Sequence, residues 1–330
     1  MEGTTLASKL RRRILTPPMS ETKLSVRGFK EKTPESRDLL EKVGESFLLG
    51  YAYAAEAGKA TEAEVPLERL PTRFKGFAYE GAGMALAVRD GLPFGSTHHV
   101  SDFLTGKEAS RHLYMVYVGV GWALARVPRF RWKAATRGIT DDAARWLVLD
   151  GYGFHQAYFK TEKYVRNQFQ EPNFPWPADD PTGYADHAID QGIGRATWFV
   201  CGTDPELVAA TFEKFPDHRK PDLYAGAGLA ASYAGGGDEA ELVRFRELAG
   251  EYRPQLAQGS AFAASARVTT DLVIPHTVLA TRVFCDMTPD EANDLCNMTR
   301  PDGPEGDAPA FEVWRRRIAD GITSKGGARP

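Results

Sequence analysis

Six times in this chain a Gly-x-(Gly or Ala)-x-(Ala or similar) pattern sits inside an apolar run, and the repetition constrains the fold more than any other feature. The segments begin at Gly81 (Gly-Ala-Gly-Met-Ala), Gly119 (Gly-Val-Gly-Trp-Ala) and Gly151 (Gly-Tyr-Gly-Phe-His). They continue at Gly192 (Gly-Ile-Gly-Arg-Ala), Gly226 (Gly-Ala-Gly-Leu-Ala) and Gly259 (Gly-Ser-Ala-Phe-Ala), with a degenerate opening copy at Gly50 (Gly-Tyr-Ala-Tyr-Ala). Successive starts lie 31, 38, 32, 41, 34 and 33 residues apart, the length of a helical hairpin in known α-repeats. Each glycine costs about 1 kcal/mol against alanine inside a helix, so packing has to offset it. Positions i and i+4 share a helix face while i+2 lies nearly opposite, so small residues at all three thin the helix front and back. The expectation is an all-α array of helical hairpins, an α-solenoid or a toroid, in which each Gly-rich helix has a close neighbour on both sides. An aromatic ring can lie beside each thinned patch, since Tyr79, Tyr117 and Tyr224 precede Gly83, Gly121 and Gly228 by one helical step.

The rest of the 330 residues frame that array. Residues 1–38 read as a basic arm holding Arg11, Arg12, Arg13, Pro17 and Pro18, residues 39–300 as the single repeat domain, and residues 301–330 as a Pro/Gly-rich tail with one short helix over 311–322. Residues 170–181 hold Pro172, Pro175, Pro177 and Pro181, too dense for a helix interior. Capping-box spacing marks helix starts at Thr203-Asp-Pro-Glu and Thr288-Pro-Asp-Glu, with weaker copies at Thr140 and Thr33. A net charge of −3 argues against a nucleic-acid partner. Three scattered cysteines, Cys201, Cys285 and Cys296, make neither a disulfide framework nor a zinc site, and no metal is expected. Neither Glu2 nor the Arg cluster leads into an apolar run of signal-peptide length, and the apolar stretch 115–125 is too short to cross a bilayer. The Gly-x-Gly runs follow no strand and lack the six-residue dinucleotide spacing, so no cofactor motif is recognisable.

Candidate chemistry lies at one phase of the repeat. The residue before the first glycine is polar in several copies: Glu80, Asp150, Gln191 and Gln258, with Asp190 beside Gln191. Its stripe continues four residues on, three after the first glycine, with Met84, Phe154, Arg195 and Phe262. A polar phase recurring with the repeat lines an inner wall or caps loops and pairs with arginines. On the first reading Glu80 and Asp150 are candidate acid–base groups, and His155, in an aromatic setting, is a third. Tyr79, Tyr117, Tyr152, Asp190, Gln191 and Gln258 then become candidate substrate contacts around one shared cavity. The adjacent His98 and His99 read as a loop pair, Asp186 and His187 as a cap region, and Cys201 as a small core residue. The stretch Arg126, Arg129, Arg131, Lys133 and Arg137, with Phe130 and Trp132, suits a phosphate, an acidic carrier-protein helix, a headgroup layer, or simply solvent.

Several blocks carry a resemblance. They are Arg-Arg-Arg-Ile-Leu-Thr-Pro-Pro (residues 11–18), Gly-Phe-Ala-Tyr-Glu-Gly-Ala-Gly-Met-Ala (76–85), Tyr-Met-Val-Tyr-Val-Gly-Val-Gly-Trp-Ala-Leu-Ala-Arg (114–126) and Leu-Asp-Gly-Tyr-Gly-Phe-His (149–155). Further on come Asp-Gln-Gly-Ile-Gly-Arg (190–195), Trp-Phe-Val-Cys-Gly (198–202) and Ala-Gln-Gly-Ser-Ala-Phe-Ala (257–263). On these blocks, over roughly residues 10–300, the chain resembles the bacterial UnbL-type enediyne biosynthesis family. That resemblance implies a place in the gene set that accompanies the iterative enediyne polyketide synthase and turns a linear polyene into a nine- or ten-membered core. It carries over no catalytic residues. The implied ligand is a hydrophobic polyene or a cyclised successor, and an aromatic content of 11% suits it. The implied partners are other core-forming proteins, one of them a membrane protein, and the alternative role is a non-catalytic scaffold for them. The chain itself is expected to be cytoplasmic, reaching a membrane only through such a partner.

Overall fold

Glycine thins the helices on two faces, and in a computed structural model of the protein both faces are used. The structure describes residues 6–326 apart from 94, 178, 179, 181 and 182; Glu2, Pro181 and residues 327–330 lie outside the described residues. Among the described residues there is no strand, and thirteen helices reach eight residues or more. They are α1 (Leu6–Leu15), α2 (Pro34–Glu56), α3 (Thr72–Asp90), α4 (Leu113–Leu124), α5 (Leu147–Phe159), α6 (Ala185–Val200) and α7 (Pro205–Phe212). The others are α8 (Lys220–Tyr233), α9 (Glu239–Leu248), α10 (Arg253–Thr269), α11 (Pro275–Cys285), α12 (Pro289–Thr299) and α13 (Ala310–Ser324).

The seven helices that carry the repeat, α2 to α6, α8 and α10, stack in chain order, each against the next. The first glycine of each copy backs onto the helix before it. A Cβ added at Gly81, Gly151, Gly192 or Gly226 would lie 1.9 Å from the carbonyl oxygen of Phe47, Val118, Asp150 or Gln191. The second glycine faces the helix after it: at Gly121, Gly153, Gly194 and Gly228 the added atom would lie 1.9–2.1 Å from the carbonyls of Val148, Ile189, Leu223 and Leu256. No side chain fits there, and backbone packs directly on backbone with weak Cα–H···O contacts. Gly50 corrects one detail of the repeat. It meets the carbonyl of Ala78 on the following helix, so it occupies the second-glycine phase, and the first copy starts at Leu48.

An outer row completes the hairpins only in the C-terminal half, where α7, α9 and α11 pack in sequence. Earlier connections use short helices such as His99–Phe103 and Trp132–Ala135. The inner row bends until α3 meets α8 and α10: Phe77 is T-shaped to Tyr233 at 5.1 Å. The Arg267 guanidinium donates to the carbonyls of Tyr233 at 2.8 Å and Arg73 at 3.1 Å. A second tie is the stretch before α2. Phe29 packs edge-on to Tyr158 at 4.9 Å, the Lys30 N–H donates to the Val200 carbonyl at 3.0 Å, and Lys32 Nζ reaches Glu241 at 2.7 Å.

Caps follow the sequence with two changes. Thr33 with Ser36, and Thr288 with Glu291, form capping boxes. At α7 the cap is Asp204, which accepts from the N–H groups of Glu206 and Leu207, while Thr203 sits at φ 66° just outside. An aspartate one residue later reaches the free N–H groups as well as a threonine and adds a full charge at the dipole's positive end. Asp141, not Thr140, likewise accepts from the N–H groups of Ala143 and Ala144. At the C-terminal end α13 docks on α10 and α12, burying Trp314, Arg315 and Ile318. No helix among the described residues is long and apolar enough to cross a membrane.

Candidate functional site

The inner face of the array is written by the position three residues after each first glycine. Met84, Trp122, Phe154, Arg195, Leu229 and Phe262 hold that position, and all six line internal cavities. The neighbouring phases add Phe77, Met115 and Leu147 on one side, and Tyr158, Phe199 and Tyr233 on the other. These offsets fall on one helix face, since steps of three and four residues keep a side chain on the same stripe.

Two cavities result. The first, about 70 Å³, is walled by α2, α3, α4, α5, α6 and α8 and covered by Pro17, Glu21 and Thr22 of the N-terminal arm. The second, about 50 Å³, lies between α4, α5 and α10 and is closed by Phe311 and Trp314 of α13. Arg195, Leu229 and Tyr233 border both, so the cavities lie on either side of a shared partition. Room for one water needs roughly 10–15 Å³ of this kind of volume. Each cavity therefore has room for several waters and is lined mainly by apolar and aromatic side chains.

The polar chemistry is concentrated at the partition. Arg195 pairs with Asp150 and lies 3.6 Å from Glu80 Oε1. Trp122 Nε1 donates to Glu80 Oε1 at 2.9 Å, and Gln191 Nε2 donates to Asp150 Oδ2 at 2.7 Å. The Arg195 guanidinium also lies over the Phe154 ring, 5.0 Å from its centroid. Burial opposes the charge on Arg195, but Asp150 and Glu80 outweigh it and raise its pKa further. Burial dominates at Glu80, where it overcomes the attraction of Arg195 and pushes the carboxyl up to about 7. Glu80 borders the first cavity directly, whereas Asp150 sits behind Arg195 and holds it in place. A carboxyl that exchanges its proton near neutrality, on an apolar wall, is suited to acid–base work.

The other sequence candidates go elsewhere, which corrects the expectation of one shared cavity. Tyr79 points outward, donating to Glu68 at 2.7 Å and stacking on His112 at 3.8 Å. The Tyr117 hydroxyl accepts the N–H groups of Thr140 and Asp141. Tyr152 packs on Trp132 and Phe174 and accepts from Gln156. The first two precede the first glycine by two residues, about 100° round the helix from the Glu80 phase, which turns them toward the outer connections. Asp190 shares that phase and is held by Arg219 and the Gln170 amide; burial raises its pKa to about 6. Gln258 keeps the inward phase but accepts from Arg315 at 3.2 Å. It joins a separate cluster in which Asp222 pairs with Arg315 and His187. His187 thus lies inside α6 rather than capping it. His155 stands behind the first cavity, edge-on to Trp122 at 5.6 Å, and neither ring nitrogen meets a hydrogen-bond partner. Burial lowers its pKa to about 3, so the ring is neutral. His99 opens a short helix with its Nδ1 2.7 Å from Asp90, and Cys201 is buried with its thiol pushed up to about 12. Among the described residues no cluster of His, Cys, Asp and Glu could hold a metal ion.

Two residues central to the site, Arg195 and Trp122, were not singled out by the polar phase. The signal was present: Arg195 is the one charged residue among the six that lie three positions after a first glycine. Fold and site together define an all-helical repeat protein with paired apolar cavities meeting at a buried arginine–carboxylate cluster. The chain belongs to the DUF1702 family, described as a protein of unknown function, whose profile matches residues 6–322. No curated protein and no solved structure matches the chain.

Proposed function

We propose that this protein acts in enediyne core formation, binding a linear polyene along the paired cavities and moving a proton on it through Glu80. The observation that carries the reading is the placement of one carboxyl with a pKa of about 7 on the aromatic wall of a cavity. An apolar, aromatic-lined space with a few polar groups suits a hydrophobic conjugated ligand, the linear polyene or a cyclised successor. Phe154, Trp122 and Phe199 line the cavity that such a chain would enter. Arg195 stabilises the ionised form of Glu80, and Trp122 fixes the orientation of the oxygen it donates to. A proton leaving a carbon of the bound chain would pass to the Glu80 carboxylate, with the electron pair spreading into the conjugated system. The same carboxyl returns the proton at another carbon, so the step shifts unsaturation without an added oxidant. Asp150 is a positioning residue that acts through Arg195.

The test is genetic and chemical. Deleting the gene in its host should stop enediyne production and leave a polyene to accumulate. Glu80→Gln keeps the shape and removes the proton exchange, so it should fail to restore production while its Tm does not fall below that of the native chain. Full restoration by Glu80→Gln would end the acid–base reading and leave a scaffold that shields or delivers the chain.

A further inference from the structure

On one side of the first cavity the surface carries an unusual set of exposed apolar side chains. On α1, Leu10 and Ile14 are one turn apart and 55% and 70% exposed, and across a shallow groove Phe130 is 84% exposed. A large side chain left this far in water is common singly, but two across one groove, with a third one turn away on α1, mark an interaction surface. The cations lie beside them. Lys9 and Arg13, both exposed, stand one position before Leu10 and Ile14, about 100° round α1, and Arg126 lines the groove. Among the described residues none of these three has an acidic partner within ion-pair distance and no carboxylate lines the groove, while neighbouring Arg12 and Arg129 are paired with Glu56 and Glu171. Arg131 is there too, its guanidinium donating to the Gly91 carbonyl at 3.0 Å and so keeping its charge uncompensated. This is a local basic field on a chain of net charge −3.

We propose that the chain docks directly on an anionic lipid bilayer through this face, with Leu10, Ile14 and Phe130 dipping into the headgroup boundary. Apolar tips ringed by long, unpaired basic side chains are what such a boundary accepts, and each cation near the surface adds attraction to anionic lipid. Met84 and Arg126 belong both to this groove and to the wall of the first cavity, so the docked face is the near side of that cavity. A path for an apolar ligand from the bilayer into the cavity rests on the polyene reading above; the docking itself does not.

Vesicle sedimentation of the full chain, without any polyene, separates the two. The protein is mixed with vesicles of phosphatidylcholine alone, or of phosphatidylcholine with about one-third phosphatidylglycerol. Binding is expected only to the anionic vesicles, weakening as salt is raised. The double variant Ile14→Asp, Phe130→Asp should lower it about tenfold or more, with Tm unchanged because both side chains are exposed. Absence of binding to anionic vesicles overturns the proposal, as does equal binding by the double variant. Light scattering supplies the remaining arm: a dimer that the same substitutions break would make the face a contact between copies, and the proposal would fall.

Discussion

Glu80 is protonated in the folded chain up to a pH of about 7, against an ordinary value of 4.5, and burial is the main cause. Between those two pH values the native state binds more protons than the unfolded state, so stability falls as pH rises through the window and is level above it. Asp190, raised to about 6 from 3.8, acts in the same sense over a lower window. Glu80→Gln should therefore flatten the loss of stability between pH 5 and pH 8, by up to roughly 3 kcal/mol, in urea unfolding at the two pH values. An unchanged slope would show that Glu80 ionises freely. Arg195 is the opposite case, a buried cation with two carboxylates around it. Arg195→Met leaves Asp150 with only the Gln191 amide and should cost about 3–5 kcal/mol. Adding Asp150→Asn should recover part of that; simple additivity of the two changes would contradict their coupling. At this scale the sequence was half legible. The repeat phase turns Glu80, Asp150 and Gln191 toward Arg195, because phase decides direction, but of the three only Glu80 borders a cavity. It misplaced Tyr79 and Tyr117, whose nearness in sequence to the glycines says nothing about which way a residue one position earlier turns.

Between helices the glycines carry the account, since each one sits where a carbonyl of a neighbour already occupies the Cβ site. Gly121→Ala would bring a methyl group to 1.9 Å from the Val148 carbonyl and force α4 and α5 apart. The expected cost is about 1–3 kcal/mol or more, after the gain of roughly 1 kcal/mol in helix propensity is offset. Gly303→Ala is the matched control, with nothing within 4 Å of the added atom, and should leave Tm where it was. Equal melting of both variants would remove the packing explanation. Helix identity and the front-and-back glycine contacts were readable in advance because the spacing of small residues is a geometric statement. The start of α7 was off by one residue because Thr203 and Asp204 both offer a capping oxygen, and only the backbone path decides between them.

Over the whole molecule, the array becomes an enclosure through a few long-range ties. Lys32 is one, joining the stretch before α2 to Glu241 and to the Thr203 and Gly236 carbonyls. Lys32→Ala should lower stability by about 1–3 kcal/mol and, by loosening the cover of the first cavity, speed exchange of buried amides on α6. Curvature of this kind was not legible in the repeat, because neighbour contacts are the same in an open row and a bent one; it is set by Phe77 against Tyr233 and by Arg267. The central claim is that the resulting cavity holds an extended conjugated chain. Quenching of tryptophan fluorescence by a linear conjugated polyenoic fatty acid measures it directly, since Trp122 and Trp314 line the cavities, in the native protein and in Leu229→Phe, which fills the partition between them. Saturable quenching at one site, lost in Leu229→Phe while the fold is kept, is the predicted result. Quenching that never saturates, or that survives the filled partition unchanged, would contradict the account.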